Sequence, residues 1–224
     1  MSYESTIVKK PWGYEYMVYE NEDASVWFLY IAPGQSTSMH CHPKKTTGLV
    51  LLDGEAEVSF LADKRDMKAL DKVMIRRGLY HSTKATSDKG AFIFEIENPV
   101  DKHDLVRLSD KYGRASKAYE DSTHETPKAE NCLWIEEPEV GENINYSFAN
   151  CNLNVETIDD VEVINNKSDN DLIMFLKGGL IKNIDNILHC VTIPGDVGFG
   201  RIVKQVSTKL DGVQPGTIII TITK

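Results

Sequence analysis

Apolar residues in this chain come in short runs rich in β-branched and aromatic side chains, separated by Gly, Pro, Asp and Lys. VWFLYIA, TGLVLLDG (47–54), EAEVSFLA (55–62), KVMIRRG (72–78) and AFIFEIEN (91–98) read as strands separated by turns. A spacing of roughly 8–15 residues between such runs predicts an all-β sandwich or barrel. Alternation also assigns faces. In AFIFEIEN, Glu95 and Glu97 fall on one side, opposite Phe92, Phe94 and Ile96. No amphipathic helix stands out, and DLVRLSDKYGR (104–114) offers room for a helical turn at most.

The pattern breaks between 115 and 145, where the chain turns polar, acidic and poor in periodic hydrophobics. That stretch reads as a connector between a first domain (1–114) and a second (146–224), with Leu133, Trp134 and Ile135 packing onto one of them. Strands then resume with VEVINN (161–166), DLIMFLKGG (171–179), HCVTIPGDVGFG (189–200) and GTIIITITK (216–224). Gly54 and Gly178, and likewise Asp71 and Asp196, recur at nearly constant offset. The echo suggests a duplicated β-barrel whose second copy has lost its site.

Length and charge narrow the functional classes. The 224 residues suit one large or two small domains. A net charge of −9 argues against nucleic-acid backbones and anionic membranes as partners. A small anionic ligand held by a few local cations stays compatible with it. The N-terminal MSYESTIVKKPWGYE lacks the apolar core of a signal peptide, and no run approaches a membrane span. Cys41, Cys132, Cys151 and Cys190 lie far apart without CxxC spacing, so a cytoplasmic location with free thiols is expected.

The chemistry concentrates in GQSTSMHCHPKKTTGLVLLDG, Gly34 to Gly54. His40 and His42, two apart in a strand, project on one face, whereas Cys41 points away from them. His81, in the turn-like RRGLYHST, supplies a third imidazole. Three neutral imidazoles suit one divalent transition metal, with Zn, Mn, Fe and Ni all admissible. Three ligands also leave positions open for water or substrate. Surface or hydrogen-bonded histidines are the bland alternative.

The wider frame resembles the cupin superfamily. Gly34, His40-x-His42 and Gly54 match the first cupin motif except at Thr47, and Leu70-Asp71, Arg76, Gly78 and His81 resemble the second. Lys10-Pro11-Trp12-Gly13-Tyr14-Glu15 and Asp104 to Arg114 further resemble the two ends of the phosphomannose isomerase (mannose-6-phosphate isomerase-like, type II) cupin domain, over about residues 8–114. The resemblance implies a cupin (double-stranded β-helix, jelly-roll) barrel over that stretch, and the internal echo extends this to a bicupin with a degenerate second barrel. The resemblance also implies a sugar phosphate or activated sugar as the small-molecule partner, in surface carbohydrate synthesis. Thr47 stands where the family carries an acid that ligates the metal and often moves a proton. A threonine hydroxyl is far too weak an acid for that role.

Three functions remain open on these grounds: a metal-dependent sugar-phosphate or nucleotide-sugar isomerase or epimerase, a non-catalytic sugar-binding or partner-assisting cupin, and a three-histidine cupin with oxygenase or lyase chemistry. For the first, Glu95 and Glu97 are the candidate bases, and Arg114 matches the terminal arginine of the isomerase domain. Lys44 and Lys45, Arg76 and Arg77, Lys84 and Arg107 are candidate anion contacts, and Trp12 and Tyr14 candidate stacking surfaces for a sugar ring. Exposed sheet edges add the expectation of a homodimer.

Overall fold

The computed structural model describes residues 6–114, 125–128 and 132–224, so part of the expected connector lies outside the described residues. The chain divides into two compact units, Met1–Trp134 and Ile135–Lys224.

The first unit is all-β, as its sequence rhythm predicts. Its strands are β1 (Thr6–Lys10), β2 (Gly13–Glu20), β3 (Ser25–Ile31), β4 (Met39–Cys41), β5 (Thr46–Phe60) and β6 (Lys64–Lys68). They continue with β7 (Lys72–Ile75), β8 (His81–Ala85), β9 (Ala91–Asn98), β10 (Val106–Ser109) and β11 (Glu125–Lys128). These run in the order β10-β4-β8-β5-β9-β3-β2-β1-β11, with β6 and β7 also pairing to β5. The strands pair antiparallel, and β5 rolls the sheet. Its first half pairs with β7 and β9, and its second half with β6 and β8. The strand bends at a register shift between Leu51 and Asp53, next to Gly54. Gly54 has φ +86°, and a Cβ there would stand 2.1 Å from the Gly90 carbonyl oxygen, so only glycine fits.

Rolling puts Leu29, Leu49, Leu51, Val58, Met67 and Ile93 into one inward core, joined by Trp12 and, from the end of the unit, Trp134. The opposite face of β5 is buried as well, through Val50 and Leu52. Burial on both faces explains why TGLVLLDG reads as a continuous apolar run instead of an alternating one.

The second unit contains β12 (Asn143–Phe148), β13 (Cys151–Ile158), α1 (Val161–Asn165), β14 (Leu172–Lys177), β15 (Leu180–Ile184) and β16 (Ile187–Cys190). After these come β17 (Val197–Phe199), α2 (Gly200–Ser207), β18 (Gly212–Val213) and β19 (Thr217–Thr223). Five strands pair in the order β12-β13-β19-β14-β17, and β16-β15-β18 form a separate small sheet. VEVINN, expected as a strand, is the helix α1. The Asp160 side chain accepts from the Glu162 N–H as an N-cap, and Val161 and Ile164, three apart, both turn to the core. That capping signal outweighs the β-branched composition. In α2, Val203 and Ser207, four apart, are the buried stripe of a second short helix that the sequence reading did not anticipate. DLVRLSDKYGR contributes the strand β10 rather than a helical turn.

Gly178, the echo of Gly54, has φ +61°, and a Cβ there would lie 2.4 Å from Thr217 Oγ1. Both positions demand glycine for local steric reasons. Among the described residues no helix is long and apolar enough to cross a membrane. None of the four cysteines forms a disulfide among the described residues.

Candidate metal centre

His40 on β4 and His81 at the start of β8 are register partners across two strands, and His42 follows β4 by one residue. The three rings converge inside the barrel. Their centroids are 5.0 Å apart for His40 and His42, 4.4 Å for His40 and His81, and 5.5 Å for His42 and His81. One ligand nitrogen from each lies within 4.8 Å of the others. All three residues are buried.

Backbone carbonyls set the tautomers. His40 Nδ1 is 2.8 Å from the Ser38 carbonyl oxygen, His42 Nδ1 2.6 Å from that of Asp104, and His81 Nδ1 3.0 Å from that of Leu79. A carbonyl only accepts, so each Nδ1 carries the proton and donates it, leaving every Nε2 lone pair available. Orientation of a ligating imidazole by a hydrogen bond from its other nitrogen is a recurrent device of metal sites. His42 Nε2 is buried with no hydrogen-bond partner among the described residues.

Burial and the neighbouring rings hold His40 well below the ordinary histidine range. Burial brings His81 down to about 4, and burial followed by the Lys45 charge lowers His42. Neutral imidazoles with inward lone pairs fit a divalent transition ion. Cys41 is buried outside the ligand group, beside Tyr80, as strand alternation predicts.

The rings open onto a cavity of about 60 Å³. Glu95 and Glu97 line it, so the inward face of β9 is the acidic one, opposite the buried Phe94 and Ile96. Glu97 accepts from Lys45 Nζ at 2.5 Å, both side chains being nearly inaccessible. Glu95 borders the void and so retains some accessible surface, yet protein atoms surround it. Burial first, and then the Glu97 charge, push its carboxyl up to about 8. Each carboxyl has an oxygen within 4.8 Å of the His42 ligand nitrogen.

Cations complete the lining: Lys10, Lys45, Lys102, Arg107 and Arg114. Lys102 Nζ donates to Glu15 Oε1 at 2.9 Å and sits 3.2 Å from the Trp27 ring centre, and Lys10 Nζ lies 3.6 Å from the same carboxylate. Arg107, the register partner of His40, faces inward beside it.

The expected site residues divide between the cavity and the surface. Trp12, Glu95, Glu97 and Arg114 line the cavity. Arg114 is committed to Asp110, donating from Nε at 3.1 Å and from Nη2 at 2.7 Å, which makes it an anchor of the cavity wall. Tyr14 does not reach the cavity. It alternates with Glu15 on β2 and stacks against Phe28 and Tyr30 on the opposite face. Lys84 alternates outward from His81 and Thr83 and is exposed. Lys44 is exposed and reaches Asp101 at 3.4 Å. Arg76 is exposed in the turn before His81.

Residues the sequence reading passed over are Lys10, Lys102 and Asp104. Asp104 accepts the backbone N–H groups of Lys44 and Lys45 at 2.8 and 3.0 Å through Oδ2, while its carbonyl orients His42. Lys45 follows Lys44 in one exposed-looking dipeptide, and nothing in the pair says which member turns inward.

No family model matches this chain, and no curated protein matches it. Solved structures do resemble it. A conserved protein with a double-stranded β-helix domain from Klebsiella pneumoniae is 21% identical, with TM-score 0.39, over 43% of this chain and 84% of its own. An RmlC-like cupin from Shewanella frigidimarina is 15% identical, with TM-score 0.39, over 43% and 85%. A sugar phosphate isomerase of the cupin superfamily from Silicibacter pomeroyi is 13% identical, with TM-score 0.35, over 38% and 60%. Likeness at this level carries no information on substrate or reaction.

Proposed function

We propose that the first unit is a divalent-metal-dependent isomerase or epimerase acting on a small phosphorylated sugar. The observation that supports this reading is the convergence of three Nε2 lone pairs beside two carboxyls inside a cation-lined cavity. Held by His40, His42 and His81, a divalent ion would polarise a substrate carbonyl or hydroxyl and stabilise the negative charge developing on its oxygen.

The protein's own groups supply the remainder. Glu97, fixed by Lys45, is placed to accept a proton from the carbon next to a carbonyl. In aldose–ketose isomerisation that proton leaves one carbon, an enediol forms, and a proton is returned to the neighbouring carbon, so nothing is oxidised or reduced overall. Lys10, Lys102 and Arg107 give the cavity the positive charge that an anionic substrate requires. The enclosed space of about 60 Å³ takes the reacting end of such a molecule.

The test is incubation of the metal-loaded protein with a panel of aldose and ketose phosphates in heavy water, followed by NMR. The reading expects deuterium at the carbon next to the carbonyl, lost in Glu97→Gln. Metal binding with ligand-induced stabilisation but no exchange across the panel would assign a binding module instead.

A further inference from the structure

We propose that Glu95 supplies the carboxylate ligand that Thr47 cannot, closing the three-histidine centre from the adjacent strand. The inference rests on reading His40, His42 and His81 as a metal centre and names one further ligand for it.

Thr47 lies on the inward face of β5, and its buried Oγ1 meets no hydrogen-bond partner among the described residues. Opposite it on β9 stands Glu97, and Leu49, two residues along, stands opposite Glu95. Directly opposed residues of an antiparallel pair point to the same face, and diagonal neighbours remain within reach of long side chains. Both carboxyls therefore flank the place where an acid is missing. They are not equivalent. Glu97 is held by Lys45 at 2.5 Å, whereas Glu95 makes no hydrogen bond or ion pair among the described residues. Enclosing a carboxyl without a donor is unfavourable unless a cation or donor joins it.

Glu95, Glu97 and His42 present ligand atoms within 4.8 Å of one another, and so do His40, His42 and His81. His42 belongs to both sets. Atoms bound to one ion at about 2.0–2.2 Å stand roughly 3–4 Å apart, so the Glu95 side chain must swing from its place beside His42 toward His40 and His81 to join them. The result is a centre of three neutral nitrogens and one carboxylate, with the acid moved from one strand to its neighbour. Glu97, engaged by Lys45, then remains as the separate proton acceptor.

The test is titration of the intact chain with Co²⁺, followed by calorimetry and by visible absorption. Wild type is expected to bind one ion. Glu95→Gln should weaken binding by about tenfold or more, at the scale of perturbed metal ligation, and should change the Co²⁺ band. Glu97→Gln should leave the band in place, and Thr47→Glu added to Glu95→Gln should restore affinity. A Zn²⁺ complex of the wild-type protein, whose crystal structure needs no variant to fold, should show a Glu95 oxygen about 2.0–2.2 Å from the ion. Unchanged affinity and spectrum in Glu95→Gln, or a Zn²⁺ complex with Glu95 turned away, overturns the proposal while leaving the three-histidine centre standing. No binding by the wild type removes the centre itself, and the proposal with it.

Discussion

At the scale of single residues, the site is a set of groups whose partners are chosen by the backbone. Three Nδ1–H groups donate to main-chain carbonyls, so ring orientation survives changes in most side chains. Lys45 and Glu97 are the exception, since each is the other's partner in a buried pair. Removing one member of such a pair leaves an uncompensated charge and costs about 3–5 kcal/mol, whereas replacing both with apolar groups costs much less. Lys45→Met is therefore expected to lower stability by that amount in chemical denaturation, and Lys45→Met with Glu97→Leu to recover most of it. Asp104 acts differently, because its carboxylate takes two backbone N–H groups in the turn after His42. Hydrogen bonds to a charged group contribute roughly 1.5–3 kcal/mol. Asp104→Ala should lose about that much stability and weaken metal binding through a looser His42. Equal metal affinity in this variant would show that the turn does not position the ring.

At the scale of elements, β5 decides the architecture by serving two sheet faces in succession, and its bend depends on Gly54. Alanine there meets the Gly90 carbonyl at 2.1 Å on a backbone with φ +86°. Strain of this kind costs on the order of 1–3 kcal/mol, so Gly54→Ala should lower the denaturation midpoint markedly, and a neutral result would contradict the rolled path of β5. Strand composition and turn spacing made the all-β class legible, and the two-residue spacing of His40 and His42 with the later His81 made the imidazole cluster legible. Alternation in AFIFEIEN correctly put Glu95 and Glu97 on one face. Which face looks inward, and which surface-type lysine is drawn in, depended on pairings between distant strands. Lys45 could not be told from Lys44 for that reason, and Tyr14 was misplaced because a one-residue shift moves a side chain to the other face. In the second unit, α1 was missed because Val and Ile suggest strand when the Asp160 cap is overlooked.

At the scale of the whole molecule, the buried groups predict how the metal-free protein responds to pH. His81 falls from 6.5 to about 4, and His40 and His42 shift the same way. Between those values the unfolded chain binds protons that the folded chain refuses, so these groups make stability fall as pH drops below about 6.5. Glu95 rises from 4.5 to about 8, and in that window the folded chain holds a proton that the unfolded chain has released. Its contribution is lost as pH rises toward 8. Three histidines outweigh one carboxyl on the acid side, and Glu95 acts alone above about 6.5, by an amount on the order of 1–2 kcal/mol. Metal-free protein should thus be most stable near pH 6.5, and Glu95→Gln should flatten only the alkaline limb. A monotonic rise in stability from pH 6 to 8 would contradict the enclosed placement of Glu95. The most direct test of the central claim is the metal content of the purified protein, with calorimetric titration by Zn²⁺ after chelation. One ion per chain is predicted, adding about 2.7 kcal/mol of stability at 100 times its dissociation constant and lost in His40→Ala and His81→Ala. Absence of binding in the wild type, or binding unchanged in both variants, would contradict it.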